Sequence, residues 1–501
     1  MQLQRKVTGT VWLDFYFSEL LSLIMINTLT AENDFLYGRI AQKLVRQIEE
    51  GVLRPGDRMP SVRQLSKMEG ISMSTAWQAY MLLENRDLIR ARPQSGFYVR
   101  PISKSLPEPE ITSPASIPTD VSLSELAARI LSLPSNRNIV PYGAVNPAAE
   151  LLPIKKLNRI LASVSTRANS VANAYSPSSG MEELRRQIAR RSFESGINSV
   201  SDDVIVTCGA TEAINLCLRA VAKPGDTIAV ESPTYFGILQ TIESLGLRAI
   251  EIATDPRDGV CLGALEKAIE RHQIKACLFV LNFSNPLGSL MPDETKRNLV
   301  DLLAKAEIPL IEDDIYGDLH FDASRPKAAK AYDSEGMVMQ CSSVSKTIAP
   351  GYRIGWTLPG KFKSKVEILK RTNTLTTPTL LQLAIAEFLE SDRYNRHLRA
   401  MRTAVAEHME RASVCISKYF PAETKITHPA GGCVFWVELP KSVDTLVLHK
   451  KALAKGISIS PGRLFSSTGQ YGHCFRLNCG HPWSSRFESA LKTLGKLTEK
   501  M

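Results

Sequence analysis

The sequence predicts a multidomain protein: a small α+β winged helix-turn-helix module, then a proline-rich linker, then a large α/β domain built on a mostly parallel sheet. Apolar residues recur at helical spacing in short segments between Phe35 and Asn85, and two strand-like runs follow, on either side of a turn. From Pro101 to Val121 the chain holds five prolines and little apolar content. From Ser122 onward, apolar runs alternate with helical patterns, which is the rhythm of a βα sheet. A chain of 501 residues is also too long for one ordinary core. The expected organisation is an extension over 1–34, the winged module over 35–100, the linker over 101–121 and the large domain over 122–501.

Within the module, Leu36, Ile40, Leu44 and Ile48 place one apolar stripe on a helix that Gly51 ends. A short helix follows at PSVRQL, where Ser61 and Gln64 have capping-box spacing, and it stops at Gly70. In GISMSTAWQAYMLLENRDL, Ser72 caps a third helix whose Ala76, Tyr80 and Leu83 face inward while Ser74, Thr75 and Gln78 face out. The strands IRAR and GFYVR flank the turn PQSG. Helices and hairpin in this order describe a winged helix-turn-helix.

Charge supports that reading. The whole chain carries a formal net charge of +10, and between Phe35 and Pro101 about 11 basic side chains face 6 acidic ones. Exposed Ser, Thr and Gln on a helix can reach base edges, while Arg58, Arg63, Arg90 and Arg92 are placed to neutralise phosphates. The run from Leu36 to Val99 resembles the DNA-binding domain of GntR-family transcription regulators, most strongly in its GxLxPGxRxPSxRxL element and its SGxYV wing. The resemblance implies double-stranded DNA as partner, contacted by Arg58, Ser61, Arg63, Ser72, Ser74, Thr75, Gln78, Arg92, Ser95 and Gly96. Met73 stands where that family usually has arginine, which removes one expected phosphate or base contact.

The nine cysteines lie between Cys208 and Cys479, with no CxxC and no nearby histidine pair. This argues against a disulfide framework or a zinc site and for reduced cytosolic thiols; no metal is expected. The apolar stretch VWLDFYFSELLSLIMINT is interrupted by Asp14 and Glu19 and followed by no small-residue cleavage site, so neither a signal peptide nor a membrane span is expected. Residues 1–34 read either as an accessory amphipathic segment or as an upstream extension of the reading frame. The linker reads as a semi-extended tether with a reach on the order of 50 to 60 Å.

In the large domain the residues just after each strand carry the chemistry, because ligands on such sheets gather at strand carboxyl ends. After VIVT, the segment CGATEAIN offers Gly209 and Ala210 for a tight turn at a helix N-terminus, a phosphate cradle with Thr211 as a further donor. After DTIAVES, Tyr235 offers a flat face to a planar ring. After KACLFVLNF, Asn285 can donate to a ring oxygen. IPLIEDDIY places Asp313 to face a pyridine nitrogen, with the Tyr316 phenol beside the ring oxygen. In CSSVSKTIAPGYRIGW, Lys346 can form a Schiff base with an aldehyde while Ser343 and Arg353 serve a phosphate. The ligand that uses all of these groups is pyridoxal 5'-phosphate.

From about Tyr142 to the C-terminus the chain resembles fold-type I aminotransferases, the aminotransferase class I/II type of pyridoxal-phosphate-dependent transferase. The resemblance implies an aldimine at Lys346, Asp313 on the pyridine nitrogen, Asn285 and Tyr316 on the ring oxygen and Tyr235 stacked on the ring. It assigns the phosphate to Ala210, Thr211, Ser343 and Arg353. It also implies that Arg476, in HCFRLNCG, clamps a substrate or effector carboxylate, with Gly143 of PYGAVNP nearby. The segment from Tyr175 to Arg185 matches the family's Tyr-Gly-Leu-Arg element, and Leu287 replaces the usual threonine of NPTG. A GntR-like module followed by such a domain resembles the MocR subfamily of transcription regulators. That implies a cytoplasmic homodimer that senses the cofactor, or an amino acid or related amine. The competing expectation is a cytosolic aminotransferase, active in full or half transamination, whose N-terminal module is vestigial or accessory.

Overall fold

The computed structural model describes residues 35–54, 56–86, 88–92, 95–99, 106–131, 139–391 and 393–501. The expectations for residues 1–34 lie outside the described residues. The chain divides into two compact units, Met1–Lys104 and Ser105–Met501.

The first unit holds helices α1 (Leu36–Glu49), α2 (Val62–Glu69) and α3 (Met73–Asn85), followed by strands β1 (Ile89–Arg92) and β2 (Gly96–Val99) paired antiparallel as a hairpin. Ile40, Leu44 and Ile48 of the α1 stripe are buried, but Leu36, the first residue of the helix, is exposed. Ser61 and Gln64 form a complete capping box at α2, and Gly70 closes that helix with a left-handed φ of 63°. Tyr80 of α3 is buried, and its hydroxyl donates to the Pro60 carbonyl at 2.6 Å, tying α3 to the entry of α2.

The second unit is built on a nine-stranded sheet. Its main strands are β3 (Thr119–Asp120), β4 (Ile205–Thr207), β5 (Thr227–Ser232), β6 (Arg248–Asp255), β7 (Ile274–Phe279), β8 (Leu310–Asp313), β9 (Val338–Ser343) and β10 (Gly355–Leu358), in the order β3-β6-β5-β7-β8-β9-β10-β4. Pairings from β6 to β9 are parallel, while β3, β10 and β4 pair antiparallel. The central strands are buried on both faces, their polar Glu231, Glu312 and Gln340 included. Helix α4 (Ala210–Val221) follows β4. A smaller antiparallel sheet near the C-terminus runs β11 (Lys425–Ile426), β12 (Val434–Glu438), β14 (Cys474–Asn478), β13 (Ser460–Pro461).

The linker departs from expectation. Residues 101–105 lie outside the described residues, but from Leu106 the segment is docked on the large unit rather than free. Pro107 accepts from the Ile426 amide at 3.0 Å, Glu108 pairs with Arg257 at 2.8 Å, and Thr112 and Ser116 donate to the carbonyls of Ser232 and Glu251 at 2.7 and 2.9 Å. The segment then enters the sheet as β3, alongside β6. Its polar residues read as solvated, yet they supply the donors and acceptors that exposed strand ends need.

Candidate functional site

On the first unit, Ser74 and Gln78 of α3 are exposed, as are Arg58, Arg63 and Arg90 around it. The Ser72 hydroxyl accepts from the Thr75 amide at 3.1 Å and lies 2.8 Å from the hydroxyls of both Ser74 and Thr75, so it is engaged as a helix cap. Thr75 is half-buried, and Ser61 is likewise engaged in its capping box. In the wing, the Ser95 hydroxyl lies 2.7 Å from that of Tyr98, and Gly96 is exposed with φ of 99°. Arg92 lies in β1 opposite Gly96; its side chain lies outside the described residues.

On the second unit, strand ends separated by up to several hundred positions converge. Lys346 lies three residues past β9, and its Nζ donates to the Val145 carbonyl at 2.7 Å. Burial pushes the Lys346 pKa down, which favours the neutral nucleophilic amine. Asp313, the last residue of β8, is buried, and its Oδ1 has no hydrogen-bond partner. Burial, helped by the neighbouring charge of Asp314, pushes the Asp313 carboxyl up to about 7. A buried carboxylate with an orphaned oxygen fits an N–H that the chain itself does not provide.

Asn285 and Tyr316 are both buried, and the Asn285 amide donates to the Tyr316 hydroxyl at 3.3 Å. Its other end, Oδ1, accepts from Arg476 Nη1 at 3.0 Å. Arg476 is only 1% exposed, yet its recorded acceptors are neutral: Asn285, the Ser460 hydroxyl at 3.1 Å and the Gly143 carbonyl. Its Nε has no partner. A buried guanidinium without a counter-charge is a site for an anion. Tyr235 is held just after β5, and Gly237 leaves room for its ring: a Cβ there would lie 2.5 Å from Tyr235 Cε1.

The cluster around Gly209, Ser343 and Arg353 is more open. Gly209 turns with φ of 80° into the N-terminus of α4, and a Cβ at Gly209 would collide with the Arg353 guanidinium. Ala210 is buried and Thr211 exposed in the first turn of α4. Arg353 is exposed and donates to the Ser345 hydroxyl at 3.3 Å and the Cys208 carbonyl at 3.2 Å. Ser343 is buried, its hydroxyl accepting from the Ser345 amide at 3.2 Å.

Three participants were missed by sequence reasoning. Val145 and Ser345 sit inside motifs already singled out, whereas Ser460 reaches the site only through the pairing of β13 with β14, opposite Arg476. Conversely, the Tyr175 to Arg185 segment does not join the site. Tyr175 is 84% exposed, and Arg185 pairs with Glu182 at 2.6 Å and Asp202 at 3.1 Å. Elsewhere, ligand atoms of Glu438, His473 and Cys474 lie within 4.8 Å of one another, but Lys425, 3.5 Å from Glu438, already supplies the counter-charge. Among the described residues no helix is long and apolar enough to cross a membrane.

Comparison with known proteins agrees with both units. Residues 142–492 match the aminotransferase class I and II family, and residues 36–99 match the bacterial regulatory proteins of the gntR family. The chain is 40% identical over 464 residues to the HTH-type transcriptional regulator YdcR of Escherichia coli, covering 93% of this chain and 99% of that one. The kynurenine aminotransferase of Pyrococcus horikoshii, solved with PMP, is 26% identical with a TM-score of 0.69, covering 75% of this chain and 94% of that one. The α-aminoadipate aminotransferase LysN of Thermus thermophilus has the same fold at 24% identity and TM-score 0.69, covering 76% of this chain and 99% of that one. A winged helix-turn-helix joined to a fold-type I aminotransferase domain defines a pyridoxal-phosphate-dependent transcription regulator, with DNA as its partner and pyridoxal 5'-phosphate as its cofactor. The chain belongs to the MocR subfamily of the GntR-family regulators.

Proposed function

We propose that the regulator's DNA affinity is set by pyridoxal 5'-phosphate attached at Lys346 Nζ and by a carboxylate-bearing amine that meets Arg476. The observation that carries this reading is the buried Arg476 guanidinium, whose partners are neutral, in one cluster with Asn285 and Tyr316. When bound, the cofactor supplies an aldehyde open to primary amines and a ring that withdraws electrons. Asp313 would hold the pyridine nitrogen protonated, Asn285 and Tyr316 would bind the ring oxygen, and Tyr235 would pack against the ring. The Ala210 amide, Thr211, Ser343, Ser345 and Arg353 hold the phosphate. Lys346 would supply the amine that holds the cofactor, and Arg476 with the Ser460 hydroxyl would bind the carboxylate of an incoming amine.

Contacts between the docked linker and the site support a coupling route. Thr112 bonds the Ser232 carbonyl, three residues before Tyr235. The Ser232 hydroxyl lies 2.7 Å from the Tyr471 hydroxyl, and the Tyr471 carbonyl accepts from the Cys474 amide, at the start of the strand that carries Arg476. An effector shifts DNA affinity only by binding two arrangements unequally, so a linker anchored next to the segments that carry Tyr235 and Arg476 is a physical means of doing so. A homodimer is part of this reading, and the exposed Tyr175 and Val171, 84% and 50% exposed, mark a face that a second copy can cover. On this reading the protein works where its DNA is, in the cytoplasm.

The test is DNA binding to the gene's own upstream region, with and without pyridoxal 5'-phosphate and a panel of amino acids, over a range of salt. Affinity that changes with cofactor and with one amino acid is expected. Sequence-indifferent binding that no amine alters would refute the reading.

A further inference from the structure

We infer that Met73 and Trp77 are specificity-determining residues that read thymine 5-methyl groups in the major groove. The inference rests on α3 entering that groove, as the winged helix-turn-helix module requires. Both side chains are 51% exposed, four positions apart on α3, and they share the outward arc with exposed Ser74 and Gln78. Ala76, Ala79, Tyr80 and Leu83 form the buried arc, so neither Met73 nor the outer half of Trp77 is needed for the core. The Trp77 ring is nevertheless held in place, edge-on to Phe97 at a centroid distance of 5.8 Å.

The surroundings say what covers these two side chains. Arg58, Arg63 and Arg90 are exposed on the same small unit, which fits a polyanion rather than an apolar protein surface. On a duplex, the apolar feature that a side chain can reach in the major groove is the thymine methyl group. The polar readers on α3 are correspondingly few. The Ser72 hydroxyl caps the helix and binds those of Ser74 and Thr75, leaving Gln78 as the long polar side chain facing out. Met73, at the first helical position, occupies the place where a recognition helix meets base edges.

The experiment uses the full-length, cofactor-loaded protein and a duplex pool with a random core. Enriched duplexes are resynthesised with each thymine of the core replaced in turn by deoxyuridine, which removes only the methyl group. At one or two positions the replacement should weaken binding about fourfold, the worth of one buried methyl. That penalty should vanish in Met73→Ala at one position or in Trp77→Leu at another, with the salt dependence unchanged because no charge is altered. Both variants should keep the wild-type melting temperature within a few degrees, Met73 being outside the core. Enriched duplexes that bind equally well with uracil throughout would overturn the inference, as would a uracil penalty that persists in both variants. A pool from which nothing is enriched would instead count against sequence-specific DNA reading by the module as a whole.

Discussion

Asn285 joins the two halves of the cofactor site: its amide nitrogen donates to the Tyr316 hydroxyl at 3.3 Å, and its oxygen accepts from Arg476 at 3.0 Å. On the proposed reading, an anion that draws the Arg476 guanidinium therefore acts on the amide that would meet the ring oxygen. Arg476→Ala should still bind the cofactor while raising the effector concentration needed to alter DNA binding about 30-fold or more, the usual cost of losing one partner of a buried charge pair. Asn285→Ala should alter both cofactor spectrum and effector response. Titration of the two variants with the effector, followed by absorbance and by DNA binding, separates them.

Asp313 gives a pH signature. Its carboxyl is raised from 3.8 to about 7 in the fold, so it stabilises the cofactor-free protein fully below pH about 4, and that contribution is lost as pH rises through about 7. The loss amounts to at most about 4 kcal/mol. Melting curves of cofactor-free wild type should therefore fall between pH 5 and 8 by more than those of Asp313→Asn. Loading the wild type with pyridoxal 5'-phosphate should remove the difference by giving the carboxylate an N–H partner. Equal pH dependence in the two cofactor-free proteins would contradict the buried, unpartnered state of Asp313.

The strand ends that carry Asp313 and Lys346 were legible in the sequence because IPLIE and MVMQCSS each read as a buried strand of a βα sheet, and the structure has strands at Leu310–Asp313 and Val338–Ser343. Ser460 was not, since its neighbour Arg476 is brought beside it by pairing of β13 with β14, and no local pattern encodes that pairing. The docked linker was misread for a related reason. A polar, proline-rich segment looks solvated until the strand ends that need its hydrogen bonds are in view. On the first unit, the three-residue spacing of Ser72 and Thr75 suited a cap as well as a groove contact, and the fold uses it for the cap.

Arg63 and Arg90 are exposed on the DNA-binding unit. If they contact phosphates, Arg63→Ala and Arg90→Ala should each weaken binding to cognate and unrelated duplexes alike and lower the slope of log affinity against log salt by about 1. Filter-binding or fluorescence titrations at several salt concentrations check this.

Thr112 anchors the linker at Ser232 through a hydrogen bond of 2.7 Å. Thr112→Val should cost the large unit about 1 kcal/mol at most and leave cofactor absorbance unchanged. The ratio of DNA affinities with and without effector should shrink toward one. An unchanged ratio would show that the coupling does not run through this anchor.

The most direct measurement is to load the purified protein with pyridoxal 5'-phosphate, reduce it with borohydride, digest it and locate the phosphopyridoxyl group by mass spectrometry. A single modification on Lys346, absent from Lys346→Ala, is the predicted result. An unmodified Lys346 peptide, or labelling scattered over surface lysines, would contradict the account.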